Sequence, residues 1–451
     1  MLIKSSISVA ILGLLVQVSY AKAVVEKHDK KDSFVKATDT GFTLNGEPYF
    51  IRGVNYWHGI NMGSTDGGNR TRLDLELDQL AAMGVNNVRI VTSTEGPDGG
   101  PFRMRPALMD SPGKYSEKIF EGLDYFIDAL GKRNMTAVGM YQVDFSVTQE
   151  ATLGNFWHWS GGFAQYINWI TGESIPYPTN NPYTYDEFTT FTARFFNDTS
   201  IAKKVDPLFK ASIKKIQKRK NTINGKIYSE DPTIMTWEIA NEPQSAPASW
   251  FNDVAKFIKK NAPNQLVTSG IESKLDEQDF INAHGSKYID YCTSHLWVEN
   301  WGFYDPFKKD GLQEALDYAK NYISTRAEWA KRVKKPIVME EYGMARDAWK
   351  QPKSMWAKWD PETTTEHKDE YYNYMLGEIY KVIEAGGPYA GSNFWAYGGV
   401  GRPYFDPNQY GMYWLGDPPH EPRGWYSVYD VDSTVDVIKK QYTKLSEFEK
   451  K

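Results

Sequence analysis

The sequence predicts an α/β fold, a single (β/α)₈ TIM barrel with extended loops on one face. Three observations carry this. From residue 38 to residue 451, apolar runs rich in β-branched and aromatic residues alternate eight times with stretches of helical spacing, without repeats or low-complexity linkers. The runs are apolar on both faces, as strands of a parallel sheet are. Two of them end in carboxylates: 233–244 (TIMTWEIANEPQ) and 336–343 (PIVMEEYG). The C-terminal tips of parallel barrel strands are where such folds keep their chemistry.

Before the first strand, residues 1–21 have the features of a secretory signal peptide: Lys4, an apolar stretch over 7–18, and the small-x-small site Ser19-Tyr20-Ala21. The apolar stretch is too short for a stable membrane span, so no membrane association is expected after cleavage at Ala21 or Ala23. Residues 22–37 then form a charged, flexible leader, and 38–451 one catalytic-type domain. Three N-x-S/T triplets, at Asn69, Asn134 and Asn197, fit an extracellular, glycosylated product. Cys292 is the sole cysteine, so the chain has no internal disulfide and depends on a large core.

A hairpin over 42–48 turns at Asn45-Gly46. The first barrel strand is 49–57 (YFIRGVNYW). Leu73, Leu77, Leu80 and Ala81 mark a helix closed by Gly84. Strand two is 85–91 (VNNVRIV), with Arg89 near its tip, and Ile119, Phe120, Leu123, Phe126, Ile127 and Leu130 form the next helix face. Strand three is 135–141, with a Lys-rich helix within 201–220. The fourth strand is 233–242, where Pro243 removes a donor and ends it. A helix near 248–260, strand five at 266–271, strand six at 289–297 and a long helix at 312–333 follow. Strands seven and eight are 336–342 and 391–397. A bare barrel needs about 250 residues. The surplus falls after strands two (93–115), three (142–186), seven (344–366) and eight (398–426), all on the face that carries the strand tips.

The charge balance, 52 basic against 57 acidic residues for a net of −5, has no basic block, which argues against a nucleic-acid partner. Aromatic residues make up 15 % of the chain, with 15 Trp and 29 Tyr, enough for a large core and for stacking on sugar rings. Neither GxSxG nor GxGxxG occurs, and the seven histidines include no HExxH pair, so no metal or organic cofactor is expected. Glu242 and Glu341 end strands four and seven, on opposite sides of a closed eight-stranded barrel. One acid and one carboxylate across a sugar-sized gap are the parts needed to hydrolyse a glycosidic bond. Glu340 rivals Glu341, but alternation along a strand lets only one of the two face the mouth.

WEIANEP, SHLWVENWG (294–302), EEYG, NFWAYGG (393–399), NFWHWSGGFAQYINW (155–169) and GDPPHEPRGWYSVYD (416–430) resemble glycoside hydrolase family 5, and within it the endo-β-1,4-mannanases. The resemblance implies a (β/α)₈ fold, retention of configuration and a β-mannan substrate, with no cofactor. It implies Glu242 as acid/base and Glu341 as nucleophile. Asn241 would hold the sugar 2-hydroxyl, Arg89 would keep the nucleophile ionised, and His295 would lie beside the pair. Trp395 would floor the cleaved-sugar subsite, with Trp57 as a second ring and Asn155 reaching the sugar. Two features depart from the family pattern. Trp297 stands where many members have a tyrosine, and 139–151 (GMYQVDFSVTQEA) separates strand three from the segment at Asn155. An endo-β-1,4-glucanase on the same barrel and a non-catalytic carbohydrate-binding barrel are the competing readings. A secreted monomer is the default.

Overall fold

The structure, a computed structural model, describes residues 34–100, 102–137, 151–152, 158–177, 185–402 and 406–451. Residues 1–33, which hold the expected signal peptide and most of the leader, lie outside them. The fold begins earlier than residue 38. Lys36–Ala37 is a strand pairing antiparallel with Phe42–Leu44, which turns into Glu47–Tyr49, so the expected hairpin gains a third strand.

The body is an α/β fold in which parallel strands alternate with helices. Strands Cys292–Leu296, Ile337–Tyr342, Tyr389–Phe394, Ile51–Asn55 and Asn87–Val91 form one ladder, the sixth, seventh, eighth, first and second of the expected series. The fourth and fifth, Thr236–Glu238 and Leu266–Thr268, pair in parallel. A bridge from Thr268 to Tyr291 leads from the fifth strand to the edge of the sixth. The helices cover the strands for the reason the sequence suggested. In Glu117–Lys132 the buried positions include Ile119, Phe120, Leu123, Phe126, Ile127 and Leu130, and Ser116 caps the first turn by accepting from the Ile119 N–H. Among the described residues, no helix is long and apolar enough to cross a membrane.

The third strand has two described pieces. Within 135–141, among the described residues, Thr136–Ala137 pair opposite Asn87 and Val88. Ala151 and Thr152 then pair with Ile90 and Val91 on the same side of the second strand. One ladder position, opposite Arg89, separates the two pieces, while residues 138–150 and Asn155 lie outside the described residues. The second half of the strand is therefore supplied from beyond the intervening segment.

The fourth strand is shorter than 233–242, but its backbone stays attached to its neighbour. Ile239 N donates to Thr268 O at 2.9 Å and Glu242 N to Gly270 O at 2.8 Å. Regular ladder geometry is lost because Glu242 adopts φ +43°, a left-handed conformation that side chains rarely take. Gly270 makes this approach possible. It sits at φ +76°, and a Cβ there would fall 1.8 Å from Ala240 O and 2.4 Å from Glu238 Oε1. We therefore expect Gly270→Ala to destabilise the protein by about 2 kcal/mol or more. Thermal unfolding of the variant checks this: a lower Tm is the expected result.

Candidate active site

Arg89 emerges from the second strand into the centre of the strand tips, fully buried. Buried guanidinium must be paired, and here the fourth and seventh strands supply the partners. Nε and Nη2 donate to Glu238 at 3.1 and 2.9 Å, and Nη1 donates to Glu341 Oε1 at 2.5 Å. Nη2 also reaches Asn241 Oδ1 at 3.4 Å, orienting that amide, and lies 3.8 Å from Glu340.

The sixth strand adds His295. Its Nδ1 is 2.8 Å from Glu242 Oε1 and 3.4 Å from Glu341 Oε2, and its Nε2 is 3.2 Å from Glu340 Oε2. One donor atom from each of Glu242, His295 and Glu341 lies within 4.8 Å of the others. Burial lowers the imidazole pKa to about 4 against the opposing effect of Glu242, so the ring is neutral near pH 6. A neutral ring has one N–H. Of the two carboxyls hydrogen-bonded to its nitrogens, Glu242 at Nδ1 and Glu340 at Nε2, one accepts that proton and the other donates its own.

Glu340 departs from the expected alternation. His295 pairs with Glu341 while Ser294 pairs with Met339, so Glu340 is an extra residue in the seventh strand. The bulge turns both glutamates into one network instead of placing them on opposite faces. Three carboxyls, Glu238, Glu340 and Glu341, thus surround one guanidinium, and Glu242 joins them through His295. Burial raises the Glu341 pKa well above the usual carboxylate value, Arg89 opposes the rise, and the charge of Glu242 adds to it. Two carboxyls this close retain a proton between them. The Arg89 contact favours the charge on Glu341 against the effect of burial.

These groups open into a cleft of about 730 Å³. Trp395 and Trp297 line it, meeting edge-on with centroids 5.7 Å apart. Trp57, expected beside them, does not line the cleft. It is fully buried, donates to Gly416 O at 3.2 Å, and meets Trp159 edge-on at 5.4 Å; Trp159 is the ring that faces the cleft. The expected walls are also revised. The loops after strands three, seven and eight contribute Trp159, Met355, Lys358, Trp359, Glu421 and Trp425, whereas the loop after strand two contributes no lining residue among those described. Gln244, Glu272, Lys274, Asn300 and Trp301, beyond strands four, five and six, complete the wall.

Two buried hubs hold the late loops. Asp417 accepts from Gly424 N at 2.7 Å and Tyr426 N at 2.6 Å, while the buried Lys368 donates to Tyr426 O and Ser427 O at 3.0 and 2.8 Å. Glu299 accepts from Lys358 at 2.9 Å and from the Trp425 indole at 3.1 Å, joining the loops after strands six, seven and eight. Glu238 had a signal in the sequence: a carboxylate inside a run apolar on both faces must find a cation. Glu272 had none, because loop residues show no periodicity, and Trp159 stood out only as part of the run 155–169.

Residues 32–450 match the model of the glycoside hydrolase family 5 beta-mannosidase-like family. The chain is similar to the crystal structure of a glycoside hydrolase family 5 mannosidase from Rhizomucor miehei, at 55 % identity and TM-score 0.88, covering 92 % of this chain and 98 % of that one. A mutant of that mannosidase is known in complex with mannosyl-fructose, with the same identity, coverage and TM-score. It is also 27 % identical over 391 residues to mannan endo-1,4-beta-mannosidase 1 of Arabidopsis thaliana, covering 81 % of this chain and 82 % of the plant protein. With two strand-tip carboxyls converging beside a guanidinium and a match over nearly the whole described chain, this glycoside hydrolase belongs to the family 5 beta-mannosidase-like group.

Proposed function

We propose that the chain hydrolyses β-mannosidic bonds with retention of configuration, on a closed (β/α)₈ barrel. The observation that carries this reading is the approach of Glu242 and Glu341 oxygens to within 4.8 Å, with Arg89 bonded to Glu341. Retaining glycosidases hold their carboxyl groups about 5–5.5 Å apart, whereas inverting ones leave room for a water at about 6.5–9.5 Å. In the first step Glu341 attacks the anomeric carbon while Glu242 gives its proton to the departing oxygen. In the second, Glu242 takes a proton from water, which attacks the glycosyl-enzyme and releases Glu341. Asn241, oriented by Arg89, holds the sugar 2-hydroxyl, a contact that strengthens as positive charge builds at the anomeric carbon. His295 supports Glu242 as a neutral ring.

Mannose-containing substrates are supported by the relatives named above. Their degree of similarity favours a mannosidase acting on short β-mannosides, since the mannosidase is 55 % identical and the plant endo-enzyme 27 %. Internal attack on mannan, glucomannan or galactomannan is the second reading, favoured by the plant relative. Secretion through residues 1–21, glycosylation at Asn69, Asn134 and Asn197, all exposed, and a monomeric state belong to the same reading. Mass spectrometry of the protein recovered from its native culture medium checks the first two.

Three outcomes are expected. Glu341→Ala lowers turnover on the order of 10⁴-fold, and azide restores it with α-mannosyl azide as product; activity that survives without this product contradicts the nucleophile assignment. Activity against pH is bell-shaped. Its acid limb appears where Glu341, raised by burial, takes up a proton and stops being a nucleophile, and its alkaline limb where the pair loses the proton it shares. Steady-state rates measured across pH 3–9 test it, and a flat profile would contradict the shared proton. On mannohexaose, a mannosidase releases mannose first and an endo-enzyme releases dimers and trimers, so early product analysis separates the two modes.

A further inference from the structure

Glu272 has no part in the mechanism above, yet it is built into the cleft wall. It follows the fifth strand, is 8 % exposed, and lines the same space as Glu242 and Glu341. Its backbone is held from two elements, the sixth strand and the long helix Leu312–Val333. Glu272 O accepts from His295 N at 3.0 Å and from the Tyr322 hydroxyl at 2.7 Å. Ser273 takes φ +58°, and Arg326 Nε and Nη2 secure its carbonyl at 3.0 and 2.9 Å. A non-glycine residue held left-handed by a buried arginine is a strained and over-determined segment. The effect of that arrangement is to fix the direction of the Glu272 side chain.

The carboxyl itself is lightly held. Among the described residues its hydrogen-bond partner is Gln244, which donates to Oε1 at 3.3 Å. Glu272 and Gln244 lie beyond the fifth and fourth strands, on the side of Glu242, away from the seventh and eighth strands that carry Glu341 and Trp395. The leaving group departs on the acid/base side. Trp301 lines this side too, with Lys274 Nζ 5.0 Å over its ring, so one ring face and three polar side chains border the space.

Resting on the mannosidase reading above, we propose that Glu272 is a substrate-binding residue for the leaving-group sugar, donating a hydrogen bond from its neutral carboxyl to a sugar hydroxyl while Gln244 holds its other oxygen. The titratable groups facing its carboxyl are Glu242 beyond the fourth strand, Lys274 and Asp279 on its own side, and Tyr318 and Tyr322 from the long helix Leu312–Val333, while His295 N–H and Arg326 hold the backbone of the segment. Burial, then Glu242 when that group is ionised, and Asp279 raise its pKa to about 8 against the opposing Lys274, so it carries its proton below that pH. Above that value the carboxylate loses its donor and places a second negative charge beside Glu242.

The test compares mannobiose, whose leaving group is a sugar, with 4-nitrophenyl β-D-mannoside, whose leaving group has no hydroxyls. Glu272→Ala is expected to lower kcat/KM on mannobiose about tenfold more than on the aryl glycoside, mostly through KM. Glu272→Gln, which keeps a neutral donor of the same shape, is expected to restore mannobiose turnover and remove any decline centred near pH 8. Equal losses on both substrates, or a Gln variant no better than Ala, would overturn the proposal. A wild-type protein that cleaves neither substrate overturns the mannosidase reading and this proposal together, whereas wild-type cleavage with equal losses overturns this one alone.

Discussion

The site depends on one buried guanidinium, Arg89, set among the carboxyls of Glu238, Glu340 and Glu341. Arg89 binds Glu238 with two donors and Glu341 with a third, and all three groups are removed from water. Breaking a buried ion pair by deleting one partner costs about 3–5 kcal/mol, because the remaining charge is left uncompensated. That cost pins Arg89 between the fourth and seventh strands. In the proposed mechanism, the direct cation on Glu341 and the imidazole beside Glu242 divide the pair into a nucleophile and an acid without any difference in chemistry between the two side chains.

Position is maintained by local backbone strain that the surrounding sheet sustains. Glu242 at φ +43°, Ser273 at φ +58° and the bulge at Glu340 all lie at strand tips around the cleft. Left-handed non-glycine residues cost about 1–3 kcal/mol each. Here they are offset by bonds from neighbouring strands and helices: Gly270 O to Glu242, and Tyr322 and Arg326 to the segment at Glu272 and Ser273. The strain aims carboxyls that ordinary strand geometry would direct elsewhere.

Much of this was legible in the residues themselves. Period and composition located the strands, because a parallel sheet buried on both faces demands continuous apolar runs, although the fourth ladder closes at Glu238, ahead of the end that Pro243 suggested. Alternation failed at Glu340, since a bulge depends on pairing with Ser294 and His295, which no local pattern encodes. Trp57 was misplaced by one layer for a similar reason: a tryptophan at a strand tip can face the cleft or support the ring that does, and only the position of Trp159 from a distant loop decides. The third strand could not be read as one segment because its halves are separated along the chain and united only by the register of the second strand. Loop residues such as Glu272 carried no periodic signal at all.

The division of charge between Glu341 and Glu242 is tested most directly by trapping the glycosyl-enzyme with a 2-deoxy-2-fluoro-β-mannosyl fluoride and mapping the label by peptide mass spectrometry. The expected result is a single added fluoromannosyl group on the peptide that holds Glu341, with the modification on that side chain. A label on Glu340 or Glu242, or continued turnover with no trapped species, would contradict it.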